Sequence, residues 1–213
     1  MSSTNETGGS LPIIDLSLLS GTEQQRQALT SSLTEACLHT GFFYIREHGI
    51  PPELIDQVFR ESQALFNLPK EHKQAIHKAH SRANRGYESM RGQTLETGAP
   101  PDLKEGFYIG EELDETDPRV QAGRFNQGGN QWPETLPGFR NTMTSYFNAM
   151  NQLSTRIMEA LALTLDLKPD FFTDFCHQPL STLRLLHYPP QPAQPAPGEK
   201  GCGAHTDFGG ITV

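Results

Sequence analysis

His205-Thr206-Asp207 places an imidazole and a carboxylate two residues apart near the C-terminal end of a 213-residue chain. The stretch reads as a strand, where residues i and i+2 project to one face, so both side chains can reach a single cation while Thr206 points away. An imidazole nitrogen and a carboxylate oxygen are two of the three donors in a 2-His-1-carboxylate facial set. That set holds non-heme Fe(II) and leaves positions open for oxygen and substrate. The same spacing also suits a hydrogen-bonded histidine followed by a turn or capping aspartate, and the tripeptide alone does not separate the two. All other histidines, at 39, 48, 72, 77, 80, 177 and 187, lie upstream.

The elements that must position this pair are legible in part. Leu11-Pro12-Ile13-Ile14-Asp15-Leu16 is a short apolar, β-branched run that predicts a first strand. Thr22 with Gln25 three residues on predicts a capping box, and Ala28, Leu29, Leu33, Ala36 and Cys37 continue as one helical face. Phe42-Phe43-Tyr44-Ile45 predicts a buried strand ended by His48-Gly49. Pro51 and Pro52 open a second helix with an apolar stripe of Leu54, Ile55, Val58, Phe59, Leu65 and Phe66, and a polar helix over 70–79 follows. Residues 81–101, rich in Gly, Ser, Arg and Thr, predict a long functional loop, and Phe107-Tyr108-Ile109 a strand. Residues 114–137 read as irregular, with the single Trp at 132. A long helix is expected over 138–167 on the spacing of Phe139, Met143, Phe147, Met150, Leu153, Ile157, Leu161 and Leu165. Residues 181–188 read as a strand, and 189–201, with five of the sixteen prolines, as an extended connection into the His-x-Asp segment.

Composition narrows the classes of partner. A formal net charge of −8 leaves no basic stripe for nucleic acid, so a small-molecule substrate is expected. Cys37, Cys176 and Cys202 are scattered, odd in number and without C-x-x-C spacing, which points to a reducing, cytoplasmic setting rather than a disulfide framework or zinc site. Residues 1–10 carry neither a basic nor an apolar segment of a signal peptide and are expected to be a disordered lead-in. No apolar run approaches the eighteen or so residues of a membrane span.

Several segments, in order, resemble the iron- and 2-oxoglutarate-dependent dioxygenases of the isopenicillin N synthase-like group. Leu11 to Leu16 is similar to that family's first strand, and Gly41-Phe42-Phe43-Tyr44-Ile45 with His48-Gly49-Ile50 to its G-F-F-x-(V/I)-x-N-H-G-(I/V) signature. Asp102-Leu103-Lys104-Glu105-Gly106-Phe107 also has a family counterpart. Leu183-Arg184-Leu185-Leu186-His187-Tyr188-Pro189-Pro190 resembles an L-R-x-x-x-Y-P-P segment, and Gly203-Ala204-His205-Thr206-Asp207 a G-x-H-x-D strand. Glu47 and Leu186 stand where the family has asparagines.

The resemblance implies an α+β chain built on a double-stranded β-helix, or jelly roll, with an N-terminal helical and strand layer. The expected division is a tail at 1–10, an N-terminal dioxygenase domain over 11–137, and the long helix with the start of the jelly roll over 138–213. It implies His205 and Asp207 as Fe(II) ligands, Tyr188 as a hydrogen-bond donor to the 2-oxoglutarate co-substrate, and ascorbate as a further candidate reductant. Phe208 would wall the substrate pocket, and Arg85 and Tyr87, on the loop after Ser81, are candidate substrate contacts. The implied activity is hydroxylation, desaturation or cyclisation of a small metabolite. The family's distal His and Arg-x-Ser have no counterpart within the 213 residues, so the barrel is expected to be incomplete at the C-terminus and the activity impaired. The other reading is a non-catalytic fragment or binding module.

Overall fold

The structure is a computed structural model that describes residues 10–213. All but the last residue of the expected lead-in at 1–10 lies outside the described residues. The described chain divides into two compact units, one formed by residues 10–50 and 152–179, the other by 51–151 and 180–213.

The first unit opens with β1 (Ile13–Asp15), a 3-10 turn over Leu16–Ser20, α1 (Glu23–His39) and β2 (Tyr44–Arg46). β1 and β2 pair in parallel, with Ile13 opposite Tyr44 and Asp15 opposite Arg46. The capping box forms as expected: Gln25 N–H donates to the Thr22 hydroxyl at 3.3 Å and Thr22 N–H to the Gln25 carboxamide at 2.8 Å. Thr22→Ala is therefore expected to cost about 1 kcal/mol, read as a lower denaturant midpoint at unchanged slope.

α1 buries Leu29, Leu33 and Ala36, spaced four and three, while Ala28 and Cys37 face outward. The buried aromatic strand expected at 42–45 is not what forms. Phe42 and Tyr44 are 72% and 62% exposed, and only the alternate residues Phe43 and Ile45 are half-buried. A two-stranded sheet covered on one side turns every second residue of a strand to the uncovered side, whatever its type.

The second unit contains α2 (Pro52–Phe66), α3 (Lys70–Ala75), β3 (Gly86–Glu88), β4 (Glu105–Ile109), the short α4 (Pro118–Gln121) and β5 (Leu183–His187). α5 (Phe139–Thr164) runs from this unit into the first, and α6 (Thr173–His177), which the sequence did not announce, belongs to the first. α5 stops at Thr164, three residues short of expectation, with Asp166 in the left-handed region two residues on, and leaves Leu165 exposed.

β3, β4 and β5 form one antiparallel sheet in that spatial order. Tyr87 lies opposite Phe107 and Phe107 opposite Leu185; Gly86 lies opposite Tyr108 and Tyr108 opposite Arg184. Residues paired across an antiparallel ladder share a face. Tyr87, Phe107, Ile109 and Leu185 therefore pack on Val58, Leu65 and Phe66 of α2 and on Phe139 and Met143 of α5. The Phe139 ring stands edge-on to Phe107 and Trp132. Glu88, Tyr108, Arg184 and Leu186 occupy the opposite face. Phe59, expected in the α2 stripe, is exposed because it lies about 100° round the helix from Val58.

Two further expectations give way to long-range hydrogen bonds. The helix expected over 70–79 ends at Ala75, because the Ile76 carbonyl accepts from Tyr87 N–H at 2.8 Å and joins β3 instead. The stretch 81–101, expected as a loop, contains β3 and buries Ala83, Arg85, Tyr87 and Glu88. Gly86, at φ 109°, makes that approach possible, since a Cβ there would collide with the Ile76 carbonyl oxygen. The fold class is α+β. Among the described residues the strands do not close into a barrel, and no helix is long and apolar enough to cross a membrane.

Candidate active site

His205, Thr206 and Asp207 do not lie in a strand. They form an irregular segment, because no strand among the described residues runs beside them to build a ladder. The spacing nevertheless brings the two side chains together, with His205 Nε2 3.2 Å from Asp207 Oδ1. His205 Nδ1 lies 2.8 Å from the Gly203 carbonyl oxygen. A carbonyl can only accept, so Nδ1 is the donor there, and Nε2 is the ring nitrogen turned to the carboxylate. A metal-ligating histidine is normally held in this way, its second nitrogen donating to a backbone carbonyl.

The segment is held by an acidic clasp from 96–104 rather than by a sheet. Asp102 Oδ1 accepts from Gly203 N–H at 3.0 Å, and Asp102 Oδ2 from Lys104 Nζ at 2.8 Å. Glu96 Oε2 accepts from Ala204 N–H at 3.2 Å and from Lys200 Nζ at 2.6 Å, while Leu103 N–H donates to the Lys200 carbonyl. The side chains of Asp102 and Lys104 are almost wholly buried. Burial raises the Asp102 pKa, but Lys104 and the Gly203 amide outweigh it and hold the carboxyl below its ordinary value. Glu96 is lowered chiefly by its hydrogen bond from Lys200.

Next along the chain, Glu105 begins β4 and accepts three side-chain hydrogen bonds: from Lys73 Nζ at 2.8 Å, Tyr87 OH at 2.5 Å and His187 Nδ1 at 2.8 Å. Burial raises its pKa, yet the hydrogen bonds from Lys73, Tyr87 and His187 bring it below the usual carboxylate value. Tyr87 is raised, first by burial and then by Glu105. The cluster ties α3, β3, β4 and β5 together and fixes the end of β5, where Tyr188 follows. Tyr188 is half-exposed, its pKa raised mainly by burial, and the charges of Lys104 and Arg184 act on its hydroxyl.

Arg85 and Tyr87 are not on an exposed loop. Arg85 is 2% exposed, with Nη2 donating to the Asn126 carbonyl at 2.9 Å and Nη1 to Thr182 Oγ1 at 3.3 Å. Its guanidinium lies where a Cβ on Gly110 would be, and burial lowers its pKa. Tyr87 is buried in β3 against the helices. Both side chains are thus committed to holding the sheet. Phe208 is 98% exposed and walls nothing among the described residues.

Sequence reasoning passed over Glu96, Asp102, Lys104 and Glu105 as individual actors. The one available signal was three charged residues, Asp102, Lys104 and Glu105, crowded at the entrance to an apolar strand. Charges in that position require buried partners.

The donors at 205 and 207 fit two coordination positions of Fe(II), one imidazole nitrogen and one carboxylate oxygen already turned toward each other. Among the described residues no group of three or more His, Cys, Asp or Glu could hold a metal ion.

Residues 11–135 match the family described as non-haem dioxygenase in morphine synthesis N-terminal. The curated relatives include the 2-oxoglutarate-Fe(II) type oxidoreductase hxnY of Emericella nidulans, 44% identical over 207 residues, which span 95% of this chain and 59% of that protein. A 2-oxoglutarate-dependent dioxygenase of Didymella fabae is 39% identical over 95% of this chain and 64% of its own length. Among solved structures, full-length Neurospora crassa T7H in complex with alpha-KG matches with a TM-score of 0.78 at 30% identity, over 97% of this chain and 64% of that one. A 2OG-Fe(II) oxygenase family protein from Caulobacter crescentus gives 0.73 at 27% identity, over 87% and 58%. The matches in sequence and in fold fall in the superfamily of the 2-oxoglutarate and Fe(II) oxygenases. The chain belongs to the non-haem dioxygenase family within that superfamily. It spans about three fifths of the length of these relatives.

Proposed function

We propose that this chain supplies the iron-facing half of an oxygenase that uses Fe(II) and 2-oxoglutarate to oxidise a small molecule. The observation that carries this reading is the His205–Asp207 pair, with Nδ1 tied to a carbonyl and Nε2 turned to a carboxylate oxygen 3.2 Å away. When bound, Fe(II) with 2-oxoglutarate as electron donor would activate dioxygen, the oxidant, for attack on a substrate C–H bond. Within the chain, His205 and Asp207 would occupy two coordination positions. The 96–104 clasp would hold the segment that bears them. Tyr188 would donate its hydroxyl proton to a co-substrate carboxylate, and Phe208 would face the substrate once an apolar molecule covers it.

The test is metal titration under anaerobic conditions with Fe(II), or with Mn(II) as its redox-stable substitute. His205→Ala and Asp207→Ala are each expected to weaken binding at least tenfold relative to the unaltered chain. Equal affinity in all three proteins would remove the pair from the metal site.

A further inference from the structure

The β3–β4–β5 face turned away from the helices carries one cation without an acid. Arg184 on β5 lies opposite Tyr108 on β4, its guanidinium carbon 4.8 Å from the centre of the tyrosine ring. Arg184 Nη2 donates to the Gln93 carboxamide at 3.1 Å, and Arg184 Nε, sealed from solvent, has no hydrogen-bond partner. The nearby carboxylate of Glu88 is already taken, by an ion pair with Lys78 and by the Tyr108 hydroxyl at 2.8 Å. Arg184 has no ion pair of its own among the described residues.

A buried guanidinium donor without an acceptor is a cost that a folded chain seldom leaves standing. The pattern of that vacancy is informative. Nε and Nη2 form one edge of the guanidinium, which can take a carboxylate side-on through two parallel hydrogen bonds. Here a neutral carboxamide holds one half of that edge and the other half is empty. Arg85, also with an unpartnered Nε, differs: both of its Nη atoms are bound to protein and its guanidinium fills the space over Gly110. Arg184 instead shares its face with Leu186, and its charge acts on the Tyr188 hydroxyl.

We propose that Arg184, seated on Tyr108 and provisionally occupied by Gln93, is an anchor for a carboxylate on a small molecule bound against the outer face of β3–β4–β5. The carboxylate displaces the Gln93 side chain and pairs with Nε and Nη2 together. This inference rests on the oxygenase reading in that the ligand is the oxidised substrate or its co-substrate 2-oxoglutarate; both carry the required group.

The experiment is calorimetric titration of the full chain with benzoate, benzamide and 2-oxoglutarate, in EDTA so that loss of the metal site leaves the measurement intact. 2-Oxoglutarate is titrated again with Mn(II). Benzoate is expected to bind at least tenfold more tightly than benzamide, Arg184→Gln to erase that preference, and Arg184→Lys to restore only part of it. Gln93→Ala, which clears the edge, is expected to tighten benzoate. A matching loss of 2-oxoglutarate affinity in Arg184→Gln assigns the anchor to the co-substrate; unchanged 2-oxoglutarate affinity assigns it to the substrate. No preference for benzoate in the unaltered chain, or an unchanged preference in a folded Arg184→Gln, overturns the proposal. Should Arg184→Gln not fold, a benzoate affinity in Gln93→Ala that is unchanged or weaker overturns it equally.

Discussion

Glu105→Ala is expected to lower the stability of the protein by about 3–5 kcal/mol, the range for removing one partner of a buried ion pair. The loss has three parts. Lys73, nearly buried, keeps the Phe66 carbonyl at 3.0 Å and the Tyr87 ring but loses its counter-charge. Tyr87 OH is left without its acceptor inside the sheet, and His187 loses the group that orients it. Glu105→Gln retains an oxygen for one donor but not the charge, so its expected cost is roughly half as large. Denaturant unfolding of the two variants measures both. A cost below about 1 kcal/mol for alanine would mean that the three donors find other acceptors.

The sign of the pH dependence follows from the same cluster. The folded pKa of Glu105 lies below the ordinary 4.5, so its contribution is fully present above pH 4.5 and is lost as the pH falls through the lower folded value. Unfolding midpoints of the unaltered chain should therefore decline below pH 4.5 more steeply than those of Glu105→Gln, which has no proton to take up.

Asp102→Ala has a second, local target. It strands the Lys104 ammonium, whose next neighbour is the Cys202 sulfur at 3.8 Å, and it deprives Gly203 N–H of its acceptor. The expected cost is again about 3–5 kcal/mol. Because Gly203 also supplies the carbonyl that orients His205, metal affinity should fall by about tenfold as well, the low end for groups that position a ligand. The double variant Asp102→Leu/Lys104→Met removes the charges together and should recover most of the stability but not the metal affinity. If the double variant is no more stable than Asp102→Ala, the ion pair is not the source of the loss.

What the sequence made legible were features written in neighbouring residues. The Thr22–Gln25 box, the α2 stripe around Val58 and Leu65, and the long α5 helix depend on spacings of three and four, and all form. His205 and Asp207 were visible because two residue types at one spacing suffice to bring their side chains together, even without the strand that was expected. Other features are decided by distant partners. Arg85 reads as a substrate contact on a loop until Asn126 and Thr182 enclose it. Phe42 and Tyr44 read as core until a sheet of only two strands leaves one side bare. Asp102 and Lys104 gain meaning only from Gly203, about a hundred positions on.

That separation bears on how the pair acquires its geometry in time. The bonds from Gly203 to Asp102 and from Ala204 to Glu96 close segments of 101 and 108 residues. The entropy lost in such closure rises with length, by about 0.6 kcal/mol per doubling, and is spent before any local contact at His205 can compensate. Contacts of this kind form late, after helices whose bonds span four residues. On the proposed reading of the pair, the orientation of His205 would thus belong to a late stage of folding, and the meeting of Asp102 with Gly203 would have to precede any uptake of iron.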